Sequence, residues 1–265
     1  MPHRALPLGL GLLLLTLTLP MAALAGATSD PGAAFAGQPG TLVLRWPDGR
    51  IWRHDPHRAA QRFSPCSTFK IPNALIGLDS GVIPGPDLVL PWDGRTRSHP
   101  GWNRDQDLGG AIRYSVVWYF QELARRVGAG RMQAYLDRLD YGNRDLSGGI
   151  DRFWLGSSLE ISADEQVEFL TRLYQEQLPL GQACQRQVKD LLMLEREEGA
   201  VLAGKTGSRR TDGGRWSLGW FVGWVERQGQ AHVFACRVEA DATREAHGGR
   251  AREVAEAVLE AWGLW

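Results

Sequence analysis

Cysteine is scarce in this 265-residue chain, limited to Cys66, Cys184 and Cys236. The odd number rules out pairing every thiol within the chain, and no CxxC spacing offers a redox pair or a zinc knuckle. Cys66 reads as a buried, inert thiol. Histidine is also thin. Of six His residues only His54-Asp55-Pro56-His57 form a cluster, on an expected surface turn with no third ligand nearby, so no metal is expected. Neither charge is in excess. Thirty basic and thirty acidic residues cancel, which removes the electrostatic footprint of a nucleic-acid partner.

Long apolar runs are missing after the first 25 residues. Before that point stand a weakly basic start, the uncharged Ala5–Leu19 run, and the small residues Ala22-Ala23-Leu24-Ala25-Gly26-Ala27. That order reads as a secretory signal peptide over residues 1–25, with cleavage after Ala25 or Ala27. The run is shorter than the ~20 residues a membrane span needs. The expectation is an exported, periplasmic protein with no membrane attachment once the leader is removed. The remainder, 26–265, reads as a single catalytic domain, either monomeric or a homodimer.

Lysine is the most informative shortage. Among thirty cations only Lys70, Lys189 and Lys205 are lysines. Arginine stays protonated in proteins, whereas a buried lysine can become neutral and act as a base. Lys189 lies in a polar helical stretch and is expected to be solvated. The other two fall in Ser67-Thr68-Phe69-Lys70 and Lys205-Thr206-Gly207.

Around these motifs the composition, 43% hydrophobic and 23% charged, suits a folded globular chain. Residues 28–39 read as loose. Thr41–Arg45 and Ile51–His54 flank the turn Pro47-Asp48-Gly49 as a hairpin. Helices are predicted over Ser67–Leu78, Val116–Val127 (ended by Gly128), Arg131–Leu139, from the capping box at Ser162–Glu165, over Ala183–Leu194 and over Arg250–Trp262. Pro72 sits awkwardly in the first of these. Residues 81–110 read as irregular loops, and strands as Val201–Thr206, Ser217–Glu226 and Ala231–Ala240. Strands at both ends with helices between them imply an α/β chain of α+β type. An antiparallel sheet is built near the termini and flanked by helices, with a helical region inserted in the middle.

Positions i and i+3 share a helix face, so the Ser67 hydroxyl and the Lys70 amine can meet near a helix N-terminus, where negative charge is favoured. Alone, this four-residue pattern is more often a capping serine followed by a surface lysine. With K-T-G downstream it becomes the paired signature of serine β-lactamases and penicillin-binding proteins. Between the two stands Ser115-Val116-Val117. With Tyr141-Gly142-Asn143, Phe153-Trp154-Leu155 and Gly219-Trp220-Phe221-Val222-Gly223-Trp224 following in order, the chain resembles the class D, oxacillinase-type β-lactamases.

The resemblance implies the serine β-lactamase and penicillin-binding transpeptidase fold, and a β-lactam as the small-molecule substrate. It implies Ser67 as nucleophile and Lys70 N-carboxylated by CO2 or bicarbonate as general base, with no metal or bound cofactor. Apolar walls from Phe69, Val117, Phe120, Trp154 and Leu155 offer a physical reason. Moving a lysine pKa from about 10.4 to about 7.4 takes roughly 4 kcal/mol of differential solvation. The Trp154 indole N–H is the donor available to a carbamate, and Val117 keeps the pocket dry. Ser115 is expected to relay a proton to the leaving ring nitrogen, held by a hydrogen bond from Lys205. Lys205 and Thr206, on an edge strand, face the substrate carboxylate. Gly207 permits close approach of the substrate, and the backbone N–H groups of Ser67 and Ser208 form the oxyanion hole. Arg250 is the preferred carboxylate-binding arginine, with Arg244 and Arg252 as contenders. Two alternatives share the signature. One is a transpeptidase, and the other a sensor domain that binds antibiotic without releasing it.

Overall fold

A computed structural model describes Met1 and residues 30–265, apart from residue 198. The expected leader, Met1 apart, and its cleavage points lie outside the described residues. Six strands form one antiparallel sheet: β1 (Gly40–Arg45), β2 (Ile51–His54), β3 (Met193–Glu197), β4 (Ala200–Arg210), β5 (Trp216–Arg227) and β6 (Gln230–Glu239). Their order across the sheet is β2-β1-β6-β5-β4-β3. The N-terminal hairpin therefore docks on the last strand, pairing Leu42 with Cys236. Gly49, with φ 88°, closes the hairpin turn, a conformation that favours glycine.

Strand alternation sends neighbouring side chains to opposite faces, so the sheet separates two cores. Leu42, Leu44, Phe221 and Phe234 pack under the C-terminal helix α8 (Gly248–Ala261). Val43, Trp220, Val222 and Ala235 face the inserted helical region. That region contains α1 (Pro56–Ala60), α2 (Lys70–Asp79), α3 (Leu108–Arg113), α4 (Val117–Val127), α5 (Ala129–Leu139), α6 (Ala163–Tyr174) and α7 (Gln182–Leu191). Helix α2 runs through its middle, buried from Lys70 to Gly77. A 3₁₀ turn, Cys66–Phe69, feeds it, so Pro72 falls in the first turn, where no intrahelical N–H is required. The capping box at α6 is complete: the Ser162 side chain accepts from the Glu165 N–H, and the Ser162 N–H donates to the Glu165 carboxylate. No helix among the described residues is long and apolar enough to cross a membrane.

Several expectations need correction. Of residues 28–39, expected to be loose, Pro31–Phe35 is a 3₁₀ turn capped by Asp30, and Phe35 is buried with its ring stacked on His54 at 4.2 Å. Helix α7 stops at Leu191 rather than Leu194, and Met193–Glu197 leaves it as edge strand β3. These five residues suit a helix, but the open edge of β4 offers them backbone partners. Helix α3 lies where a loop was expected; its Gly109-Gly110 pair hides it, and Asp107 caps it through the Gly110 N–H. The His54–His57 turn includes the start of α1, with Asp55 as its N-cap. Lys189 is not freely solvated: its Nζ donates to Glu176 at 2.8 Å and to the Tyr174 carbonyl at 3.0 Å.

Candidate active site

The centre of the site is Ser67 in the 3₁₀ turn and Lys70 at the first residue of α2. Lys70 Nζ donates to Ser67 Oγ at 2.6 Å, and the lysine is completely buried. Burial disfavours its ammonium form and draws its pKa well below the usual lysine value, and repulsion from Lys205 adds to the shift. The Phe120 ring of α4 lies 5.6 Å from Nζ. Phe69 stacks on Trp154 at 5.4 Å. The Trp154 indole N–H is buried without a hydrogen-bond partner among the described residues. A buried polar group in that state marks a place where an acceptor fits.

The loop between α5 and α6 carries Trp154, and Tyr141-Gly142-Asn143 anchors it. The Asn143 side chain donates to the Ser158 carbonyl at 2.8 Å and accepts from the Glu160 N–H at 3.0 Å. Gly142 has φ 55°, and a Cβ there would fall 2.1 Å from the Glu160 carbonyl oxygen. Gly142→Ala is therefore expected to destabilise the fold by about 3 kcal/mol. Thermal denaturation should show the midpoint falling by roughly 6–10 °C.

Strand β4 forms the opposite wall. It is not the edge strand of the sheet, but β3 pairs with it only as far as Ala203, so Lys205 onward presents an open edge. Alternation turns Lys205, Gly207 and Arg209 to one face and Thr206 and Ser208 to the other. A Cβ on Gly207 would lie 3.2 Å from the Ser67 nitrogen, which is how closely strand and turn approach. On the other face, Ser208 Oγ accepts from the Gly248 N–H at 2.8 Å at the start of α8. Lys205 is buried, and burial draws its pKa down to about 8. Its Nζ donates to the Thr206 carbonyl at 3.2 Å, and the hydrogen bond expected to Ser115 is not made. Ser115 stands half-buried on the turn into α4 with φ 54°, and Cys66 has φ 51°. Two non-glycine residues in left-handed backbone thus flank the site, where surrounding packing must hold them. Val117 is half-buried at the start of α4, and its neighbour Val116 is fully buried. Burial pushes the Cys66 thiol up to about 11, which keeps it protonated.

The penicillin binding protein transpeptidase domain family matches residues 30–260. The probable β-lactamase YbxI of Bacillus subtilis is 41% identical over 87% of this chain and 83% of its own length. β-Lactamase OXA-48 of Klebsiella pneumoniae is 45% identical over 75% of each chain. The solved class D β-lactamase BAT-2 superposes with a TM-score of 0.84 at 39% identity, covering 89% of this chain and 97% of its own. The chain belongs to the class D β-lactamase family.

In this class D chain Arg250, the arginine expected to meet the substrate carboxylate, already has protein partners. Its guanidinium donates to Gln38 Oε1 and the Ala34 carbonyl, both at 3.1 Å, and pairs with Glu253. Ala34 lies in the N-terminal 3₁₀ turn and Gln38 just after it, 216 and 212 residues upstream. Arg244 is held by Asp241 and the Ala36 carbonyl. Arg252 lines a cavity of about 1000 Å³ with Lys205, Thr206, Arg104 and Arg113, and pairs with Glu195 and Glu256. Among the described residues no group of three or more His, Cys, Asp or Glu side chains is placed to hold a metal ion.

One structural residue escaped the sequence reading. Ser64 Oγ donates to the Trp154 carbonyl and accepts from the Gly156 N–H, both at 2.9 Å, and its own carbonyl accepts from Trp220 Nε1 at 3.0 Å. It ties the Ser67 turn to the Trp154 loop and to β5. Nothing local marks it, because its partners lie 90 and 156 residues away.

Proposed function

We propose that this chain hydrolyses β-lactam antibiotics through an acyl-Ser67 intermediate, with N-carboxylated Lys70 as the general base. The observation that carries this reading is a fully buried amine 2.6 Å from a serine hydroxyl, beside an indole N–H that lacks a partner. An amine kept neutral by burial takes up CO2, and the buried indole N–H of Trp154 suits the resulting anion. When present, that group supplies an oxygen base for the Ser67 proton and for the hydrolytic water.

The chain's own residues do the rest. Ser67 Oγ attacks the lactam carbonyl and the ring C–N bond breaks. Ser115 delivers the proton to the departing nitrogen. The backbone N–H groups of Ser67 and Ser208 stabilise the developing oxyanion. Lys205 and Thr206 meet the ring carboxylate. Water then cleaves the ester and frees Ser67. The apolar run and small-residue tract ahead of Ala25 support export to the periplasm, where such turnover confers resistance.

Steady-state hydrolysis of a chromogenic cephalosporin tests the reading. Continuous turnover is expected, raised by bicarbonate at mildly acidic pH. A single stoichiometric burst identifies a sensor or transpeptidase instead.

The pH profile carries a further prediction. Lys205 is cationic below about pH 8 and loses its charge above it. The value of kcat/KM should therefore fall as pH rises through about 8, and Lys205→Arg should move that limb beyond the lysine range. Stability runs the other way. Between about 8 and 10.5 the unfolded chain holds a proton on Lys205 that the folded chain lacks, so the Lys205 contribution rises with pH across that window.

A further inference from the structure

The arginines around the end of β4 and the start of α8 differ in their partners: Arg210 lies over the Trp216 ring, and Arg215 donates to the Asp241 and Arg244 carbonyls. Arg244, Arg250 and Arg252 are each held by carboxylate partners. Arg209 is exposed, and among the described residues only its backbone carbonyl takes a side-chain hydrogen bond, from Ser217 Oγ at 3.3 Å. Its guanidinium has no ion pair or ring contact there.

Its position follows from the strand's period of two. Lys205, Gly207 and Arg209 share the face of β4 that meets the nucleophile's turn. Gly156, two residues after Trp154 and with φ 83°, leaves the room the side chain occupies: a Cβ there would fall 3.0 Å from Arg209 Nε. The arginine's positive charge also bears on the Cys66 thiol, one residue before the nucleophile. A free cation thus stands at the far end of the face that Lys205 begins.

The bonding of a β-lactam gives that face a direction. On one side the acyl carbon joins the ring nitrogen, which leads to the ring carboxylate. On the other it joins the carbon that carries the acylamino side chain. With Ser115 and Lys205 at the nitrogen and carboxylate end, the acylamino side chain runs past Gly207 toward Arg209. We propose that Arg209 is a specificity-determining residue that favours β-lactams bearing a second anionic group on the acylamino side chain. The inference rests on the acyl-Ser67 reading, and it names the substrate class of that site.

The test compares kcat/KM for benzylpenicillin and its α-carboxylated counterpart, which differ by one carboxylate. The carboxylated-to-plain ratio is expected to fall about tenfold in Arg209→Ala, as for loss of a charge-assisted contact, and further in Arg209→Glu. Arg209→Lys should keep most of it. The position is exposed, so these variants are expected to fold, and circular dichroism checks that they do. A ratio unchanged within about twofold in both Arg209→Ala and Arg209→Glu overturns the proposal, since a direct cation–carboxylate contact requires more. A wild-type chain that turns over neither penicillin refutes the hydrolytic reading itself, and turnover of benzylpenicillin tells the two failures apart.

Discussion

Lys70→Ala is expected to lower kcat by about 10³- to 10⁴-fold, the upper range for loss of a general base. Lys70 is the amine in hydrogen-bond contact with Ser67, at 2.6 Å, and its burial keeps bulk water from taking its place. Lys70→Arg should be as inactive as the alanine variant, because a guanidinium neither sheds its proton nor takes up CO2. The fold should survive. Burying an amine with only a hydroxyl partner is unfavourable, so removing it offsets part of the packing lost, and the melting temperature should hold or rise. Rapid mixing with substrate, followed by intact-mass measurement, checks the mechanism. Any acyl adduct that forms on Ser67 should persist. Turnover within about tenfold of the wild type would assign the base elsewhere.

The second large effect is expected at Trp154. Trp154→Phe keeps an aromatic ring against Phe69 and Phe153, at 5.4 and 4.9 Å in the native protein, and removes only the indole N–H. It is therefore sharper than Trp154→Ala, which would add roughly 3–5 kcal/mol of lost packing. On the proposed mechanism deacylation should slow by about 10²-fold, and acylation by less, because the base is lost between the two steps. Saturating bicarbonate should restore part of the rate. Single-turnover kinetics separate the steps, and equal slowing of both would reject the role given to the indole.

The parts of this molecule that were legible from sequence are those whose physics is local. Ser67 and Lys70 are three residues apart on one turn, so their contact follows from helical spacing. The α6 cap is written in Ser162 and Glu165, and the first hairpin in two strands and a Pro-Asp-Gly turn. The antiparallel sheet with an inserted helical region followed from the order of elements. What escaped was decided at long range. The Arg250 guanidinium donates to Gln38 Oε1 and the Ala34 carbonyl, partners more than two hundred residues away that no local pattern reveals. Met193–Glu197 has helical composition and became a strand because β4 had an edge to fill. Residues 31–35 look too small to order, but Asp30 caps them and Phe35 anchors them. Ser64 carries three bonds that no spacing rule connects.

The economy of lysine has a practical corollary. Lys70 and Lys205 are buried and Lys189 is engaged by Glu176 and the Tyr174 carbonyl, so the described part of the chain offers acylating reagents no freely exposed ε-amine. Arginine, inert to the same reagents, carries almost all the surface positive charge. Labelling, immobilisation or cross-linking chemistry aimed at amines will find this molecule nearly blank. Whatever modification does occur at Lys70 or Lys205 will report on the buried interior rather than on the exterior.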